Sequence, residues 1–120
     1  MNSIDRSGDV VLGYVTVPDH ETARRLAQTL VAERLVACVN ILGPIESIYW
    51  WEGAVETSRE IAMLVKTRGA LQDRLVARIR ELHPYQIPCV LVVPVLGGHG
   101  PFLRWICDET SGLDSGVGTP

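Results

Sequence analysis

The chain has 120 residues, with 11 Lys and Arg against 14 Asp and Glu, a formal charge of −3, and a pI near 5.5. That length predicts one domain, and a composition 47% hydrophobic and 21% charged excludes wholesale disorder. The acidic balance disfavours a nucleic-acid binder, which must neutralise several phosphates, and points to small molecules, ions or proteins as partners. Cys38, Cys89 and Cys107 are an odd set without C-x-x-C spacing, which fits neither a disulfide framework nor a local zinc knuckle. The first nine residues lack the basic-then-apolar order of a secretory leader, and no apolar run approaches the roughly 18 residues of a membrane span. The expectation is a cytoplasmic protein in a reducing compartment, not bound to a membrane.

Residues 10–17, VVLGYVTV, read as a strand that stops at Pro18, with Asp19 offered as a helix N-cap. Ala23, Leu26, Ala27, Leu30 and Val31 then recur at helical spacing, predicting an amphipathic helix over 20–34. Residues 36–67 read as one long antiparallel hairpin. Gly43-Pro44 suggests a bend or bulge in its first strand, Glu52-Gly53 supplies the turn, and Tyr49, Trp50 and Trp51 lie near the tip. Trp50 and Trp51 are adjacent, so they should point to opposite faces. A second helix places Leu71, Leu75, Ile79 and Leu82 on one face and ends at His83, because Pro84 pushes that residue out of the helical region. Cys89–Leu96 is an apolar strand whose Pro94 marks an edge or bulge. A glycine-rich loop leads to a last short helix with Pro101 in its first turn and Phe102, Trp105 and Ile106 on the expected buried side. Residues 1–9 and 111–120 are expected to be flexible, leaving 10–110 as the domain.

The order β-α-β-β-α-β predicts an α+β fold with a four-stranded antiparallel sheet, both main helices on one face, and a short C-terminal helix. The other face should then be wet, with strands that alternate apolar and polar. They do not: the first and last strands and the IAMLV part of the third are apolar on both parities. A helix of about ten residues cannot cover such a face, so self-association through the open sheet face is expected.

The strings RLVACVNI, SIYWWEG, MLVKT, HPYQIP and FLRWI, in this order and with these separations, resemble the CutA family of divalent-ion tolerance proteins over about Val11 to Thr110. A-C-V-N, Y-x-W-E-G and H-P-Y are the most specific. The resemblance implies a ferredoxin-like fold, a homotrimer in which hairpins and sheets of neighbours pair, and a link to tolerance of copper and other divalent ions. It makes Cys38 and His83 candidate metal ligands. Where the family usually has Pro-Glu after H-P-Y, this chain has Pro88-Cys89, so Cys89 becomes a candidate thiol ligand in place of a carboxylate.

Each candidate has a structural reading beside the chemical one. Cys38 and Cys89 suit plain packing in apolar strands, and His83 suits a helix stop with its ring bonded to a backbone carbonyl. Lys66, at the end of an apolar strand, should reach solvent or pair with Glu52, Glu56 or Glu60, and an ion pair across a subunit boundary is the favoured reading. Tyr49, Trp50, Trp51, Glu52, Lys66 and Tyr85 are the expected interface or pocket residues. His20, His83 and His99 have no H-x-x-x-H spacing, the serines have no nucleophile-elbow context, and no phosphate-binding glycine motif is present. No enzyme and no required cofactor are expected. The leading reading is a trimeric, non-catalytic metal-tolerance protein that binds copper or another divalent ion near inter-subunit clefts. The alternative is a PII-like trimer binding a metabolite or nucleotide between subunits, disfavoured by the compact hairpin and the lack of a basic phosphate cluster.

Overall fold

In a computed structural model, which describes residues 9–113, the elements run β1 (Val10–Val17), α1 (His20–Ala32), β2 (Cys38–Trp51), β3 (Ala54–Arg68), a 3-10 turn at Gly69–Leu71, α2 (Gln72–Leu82), β4 (Val90–Pro94) and α3 (Gly100–Thr110). The expected flexible ends before residue 9 and after residue 113 lie outside the described residues. At Ser111–Leu113 the expectation of unstructured chain is corrected, because a 3-10 turn continues from α3 there.

Local chemistry accounts for the boundaries. The Asp19 carboxylate accepts from the Thr22 amide at 2.8 Å, and that bond holds its pKa below the usual carboxylate range. Helix α1 stops two residues before the expected position because Arg34 takes a left-handed φ of 61°, and the Leu35 amide bonds back to the Leu30 carbonyl. Glu52 and Gly53 both have positive φ, 49° and 84°, as a tight hairpin turn matched to strand twist requires.

The sheet order is β2-β3-β1-β4, with every neighbouring pair antiparallel. Pro94 lies in β4, an edge strand, where its missing N–H breaks no ladder bond on the open side. Helices α1 and α2 share one face: Leu26, Leu30, Leu75 and Ile79 close over Val15, Val17, Ile61, Met63 and Val65 in a single core. Arg78 bonds Glu33 at 2.6 and 2.9 Å and ties the two helices at their exposed edge.

Gly13 sits opposite Val65 in the centre of this sheet, and a β-carbon there would fall 2.6 Å from the Val65 Cγ2. Val65 is fully enclosed and cannot turn away. Gly13→Ala is therefore expected to cost about 1–3 kcal/mol of stability, as overpacking of cores does; an unchanged denaturation midpoint would contradict this contact.

Helix α3 crosses one end of the opposite face, where Leu103, Ile106 and Cys107 pack on Val10. Buried Arg68 donates to the Thr110 hydroxyl and carbonyl, both at 2.9 Å, and anchors the end of that helix. The expected buried side of α3 is corrected here. The stripe 103, 106, 107 and 110 faces inward, whereas Phe102 and Trp105 are 42% and 40% exposed and stack on each other at 5.6 Å. The rest of this face is uncovered in the single chain, with Leu91 60% and Val93 48% exposed.

Candidate functional site

The feature that organises the open face is a bulge. In β2, Ile41 registers with Met63 and Pro44 with Ile61, so one extra residue on the β2 side inverts the facing of everything beyond it. Before the bulge Val39 and Ile41 pack with the helix-side core; after it Ser47, Tyr49 and Trp51 turn to the helix-free face. There they meet Tyr14 and Thr16 of β1 and Glu60 of β3 around a cleft of about 450 Å³. The segment joining α2 to β4 closes the cleft with Tyr85, Gln86, Ile87 and Cys89.

Pro84 determines how that segment enters. His83 leaves the helix with an extended backbone and is buried. The Tyr85 amide donates to its Nδ1 at 3.1 Å, so the proton sits on Nε2, which donates to the Thr16 carbonyl at 2.7 Å. Both ring nitrogens are thus committed within the chain, and the ring positions Tyr85, with centroids 4.7 Å apart. The Tyr85 hydroxyl in turn donates to Glu60 Oε2 at 2.9 Å, and Glu60 is only 8% exposed.

Burial first, and then the Glu60 carboxylate, push the Tyr85 phenol up to about 12 from its ordinary 10.0. Because the folded-state pKa is the higher one, the stabilisation from this neutral phenol is complete below about pH 10 and is lost as pH rises towards 12. Wild type should therefore lose stability over that alkaline window, and Tyr85→Phe should lose less. Equal slopes in alkaline denaturation of the two proteins would contradict the Tyr85–Glu60 pairing.

The other candidate residues are dispersed. Cys38 registers with Lys66, and the Lys66 ammonium donates to its Sγ at 3.4 Å and to Asn40 Oδ1, lying 5.7 Å from the Phe102 ring centroid. The expected carboxylate partners of Lys66 are corrected within the chain: Glu60 lies six residues away along β3, about 20 Å at strand rise, and is held by Tyr85. Thr16, which His83 grips, registers with Ala62, four residues from the Cys38 level of β3, or about 14 Å. The three proposed ligands are therefore not gathered in one chain: Cys89 lines the cleft, His83 is buried beneath Tyr85, and Cys38 belongs to the Lys66 cluster. Among the described residues no group of three or more His, Cys, Asp and Glu could hold a metal ion, and Cys38, Cys89 and Cys107 are all outside any disulfide. Trp50 is 74% exposed, on the hairpin side facing away from Trp51, and Glu52 forms the turn. Sequence reasoning missed Tyr14, Thr16, Ser47, Gln86 and Ile87 as cleft residues and treated Glu60 only as a possible partner of Lys66. The one signal that could have found the β2 members is the Gly43-Pro44 bulge, followed through to its parity consequence.

Comparison with known proteins places this arrangement. A sequence model described as "CutA1 divalent ion tolerance protein" matches residues 11–109. The divalent-cation tolerance protein CutA of Pyrococcus horikoshii is 40% identical over 101 residues, covering 84% of this chain and 98% of the relative. A rice protein named CutA 1, chloroplastic, is 41% identical over 92% of this chain, which spans 62% of that relative's length. Among solved structures, CutA1 from Oryza sativa superposes with a TM-score of 0.84 at 41% identity, covering 88% of this chain and 96% of its own. A protein from Archaeoglobus fulgidus, titled a periplasmic divalent cation tolerance protein CutA, superposes at 0.80 with 42% identity, covering 84% and 97%. Among the described residues no helix is long and apolar enough to cross a membrane. With the family model matching residues 11–109 and a relative 40% identical over 98% of its own length, the chain belongs to the CutA1 divalent ion tolerance family.

Proposed function

We propose that the chain serves divalent-cation tolerance as a cytoplasmic, non-catalytic homotrimer of ferredoxin-like subunits that takes up copper or another divalent ion in clefts between subunits. The observation that carries the assembly is the uncovered sheet face. Leu91, Val93, Phe102 and Trp105 are each at least 40% exposed there, and the hairpin stretches the molecule to 48 Å along its longest axis. Apolar area of this kind gains about 25 cal/mol for each Å² removed from water, and a neighbour's hairpin is within reach to cover it.

For the metal, the thiols of Cys38 and Cys89 are the soft donors, and His83 joins them only by releasing the Thr16 carbonyl. Since one chain does not gather these groups, a complete site needs donors from two chains. The PII-like alternative draws no support from the relatives. This chain also lines its cleft with Glu60 and, among the described residues, no Lys or Arg, a poor setting for phosphate. Free thiols suit a reducing compartment, and fractionation of cells expressing the tagged protein tests the cytoplasmic assignment.

Light scattering should return three times the 13.2 kDa chain mass. Titration with Cu(I) and Zn²⁺ under reducing conditions should give an affinity that rises with pH, because only deprotonated thiols and imidazole are ligands. Cys38→Ser and Cys89→Ser should weaken it. A monomer at micromolar concentration would remove the trimer, and identical affinities in wild type, Cys38→Ser, His83→Ala and Cys89→Ser would remove the metal site.

A further inference from the structure

We infer that Cys38 and Lys66 form a modification site: when a peroxide oxidises the thiol, the Lys66 amine closes on it and a sulfenamide bond joins Sγ to Nζ. The pair is read from one chain's strand register, so the inference rests on neither the trimer nor the metal reading.

The register brings the two groups together. Cys38 of β2 stands directly opposite Lys66 of β3, and opposed residues of an antiparallel pair hold their β-carbons about 4.5–5.5 Å apart. Val39 and Val65, the next opposed pair, pack with the α1–α2 core, so Cys38 and Lys66 share the other face. The Lys66 side chain folds back over its partner. Its Nζ lies 3.4 Å from the Cys38 Sγ, donates to Asn40 Oδ1 two residues along β2, and sits 5.7 Å from the Phe102 ring centroid. This is the end of the face that α3 crosses within the chain, where Ala37 packs against the α3 cluster, six residues of β3 away from Glu60 and its cleft. Both residues are half-buried, which admits a reagent little larger than water.

That geometry suits a two-step closure. Peroxide first transfers one oxygen to Cys38: the O–O bond breaks, the sulfur loses two electrons and becomes a sulfenic acid, and the thiol proton leaves with the departing hydroxyl as water. Sulfenic acids condense with a nearby nitrogen, and an Nζ already 3.4 Å from Sγ is within the distance at which held groups react fastest. The N–S bond forms as the S–O bond breaks. One ammonium proton leaves with the hydroxyl as water, a second goes to solvent, and the third remains on the new N–H. One thiol, one ammonium and one peroxide thus give the sulfenamide, two waters and a proton. Two small-molecule thiols reverse it, restoring both side chains and leaving as their own disulfide. The other cysteines lack this setting. Cys89 lines a cleft with no Lys or Arg among the described residues, and Cys107 is enclosed in the α3 cluster.

The test treats the purified protein, in its native assembly, with an equimolar amount of hydrogen peroxide, unfolds it without reductant and digests it with trypsin for mass spectrometry. In the untreated chain cleavage after Arg34, Arg59 and Lys66 separates peptides 35–59 and 60–66. In treated wild type the link should block cleavage at Lys66 and join 35–59 to 60–68, with a mass about 2 Da below the two peptides together. Dithiothreitol should release them. Lys66→Arg keeps a cation beside the thiol but supplies no amine, so the link should vanish, and dimedone added on unfolding should capture sulfenic acid at Cys38 at least about tenfold more than in wild type. Asn40→Ala should slow closure by about threefold to tenfold, the worth of one hydrogen bond. Treated wild type that yields only unlinked peptides, with Cys38 unoxidised or carrying oxygen alone, would overturn the inference, and that result depends on no variant folding. Equal dimedone capture in wild type and Lys66→Arg, or a linked pair that dithiothreitol does not release, would also overturn it.

Discussion

Deleting Gly43 should straighten the hairpin without turning its outer half over. Between the Ile41–Met63 and Pro44–Ile61 pairs β2 takes three steps and β3 takes two, so the deletion equalises the counts and brings Leu42 opposite Ala62. Tyr49 and Trp51 then keep the helix-free face, because facing follows the register against β3, and what is lost is the kink and added twist of the bulge. Val39, Ile41 and the α1–α2 core lie on the inner side of the bulge, so helical circular dichroism should persist. Solvent quenching should still reach Trp50, 74% exposed in the native chain, more readily than Trp51. A deletion variant in which Trp50 becomes the shielded ring would show that the register against β3 has slipped by one residue.

Charge substitution at the two adjacent tryptophans should have effects of similar size but different origin. Trp51→Glu places a second carboxylate in the cleft that already holds Glu60 and removes an aromatic wall, so both monomer stability and assembly should fall. Trp50→Glu alters a ring that the single chain leaves largely in water. Monomer stability should move by no more than about 0.5 kcal/mol, the usual range for surface changes, yet assembly should fail if the exposed strip of Ile48, Trp50 and Val55 meets a neighbour. Light scattering with a parallel denaturation series distinguishes these cases. Both variants remaining trimers would show that the hairpin tip carries no interface.

The secondary structure was readable because its determinants lie within a few residues of one another. Asp19 caps α1 through Thr22, Glu52-Gly53 adopts the positive φ pair of a tight turn, and Pro84 ends α2 whatever surrounds it. The apolar run on both parities of β1 and β4 likewise announced an open face in need of cover, and the family strings pointed to the fold before any coordinate was known. Facing and partnership were not readable, because they depend on contacts between residues distant in the chain. The bulge at Gly43-Pro44 could be seen, but which face Trp51 takes depended on the register against β3. His83 reads as a ligand or a helix stop in the sequence, and its bond to the Thr16 carbonyl, 67 residues away, at 2.7 Å exists only in the folded chain. Phe102 and Trp105 fit a buried stripe by hydrophobicity, yet α3 docks through Leu103, Ile106 and Cys107 because Arg68 fixes its end at Thr110. Glu60 and Tyr85 carry no mutual spacing signal at all. Hydrophobic periodicity and turn chemistry act along the chain and so determined the elements, whereas the cleft is made where three strands and a loop converge, and that convergence exists only once the sheet has closed.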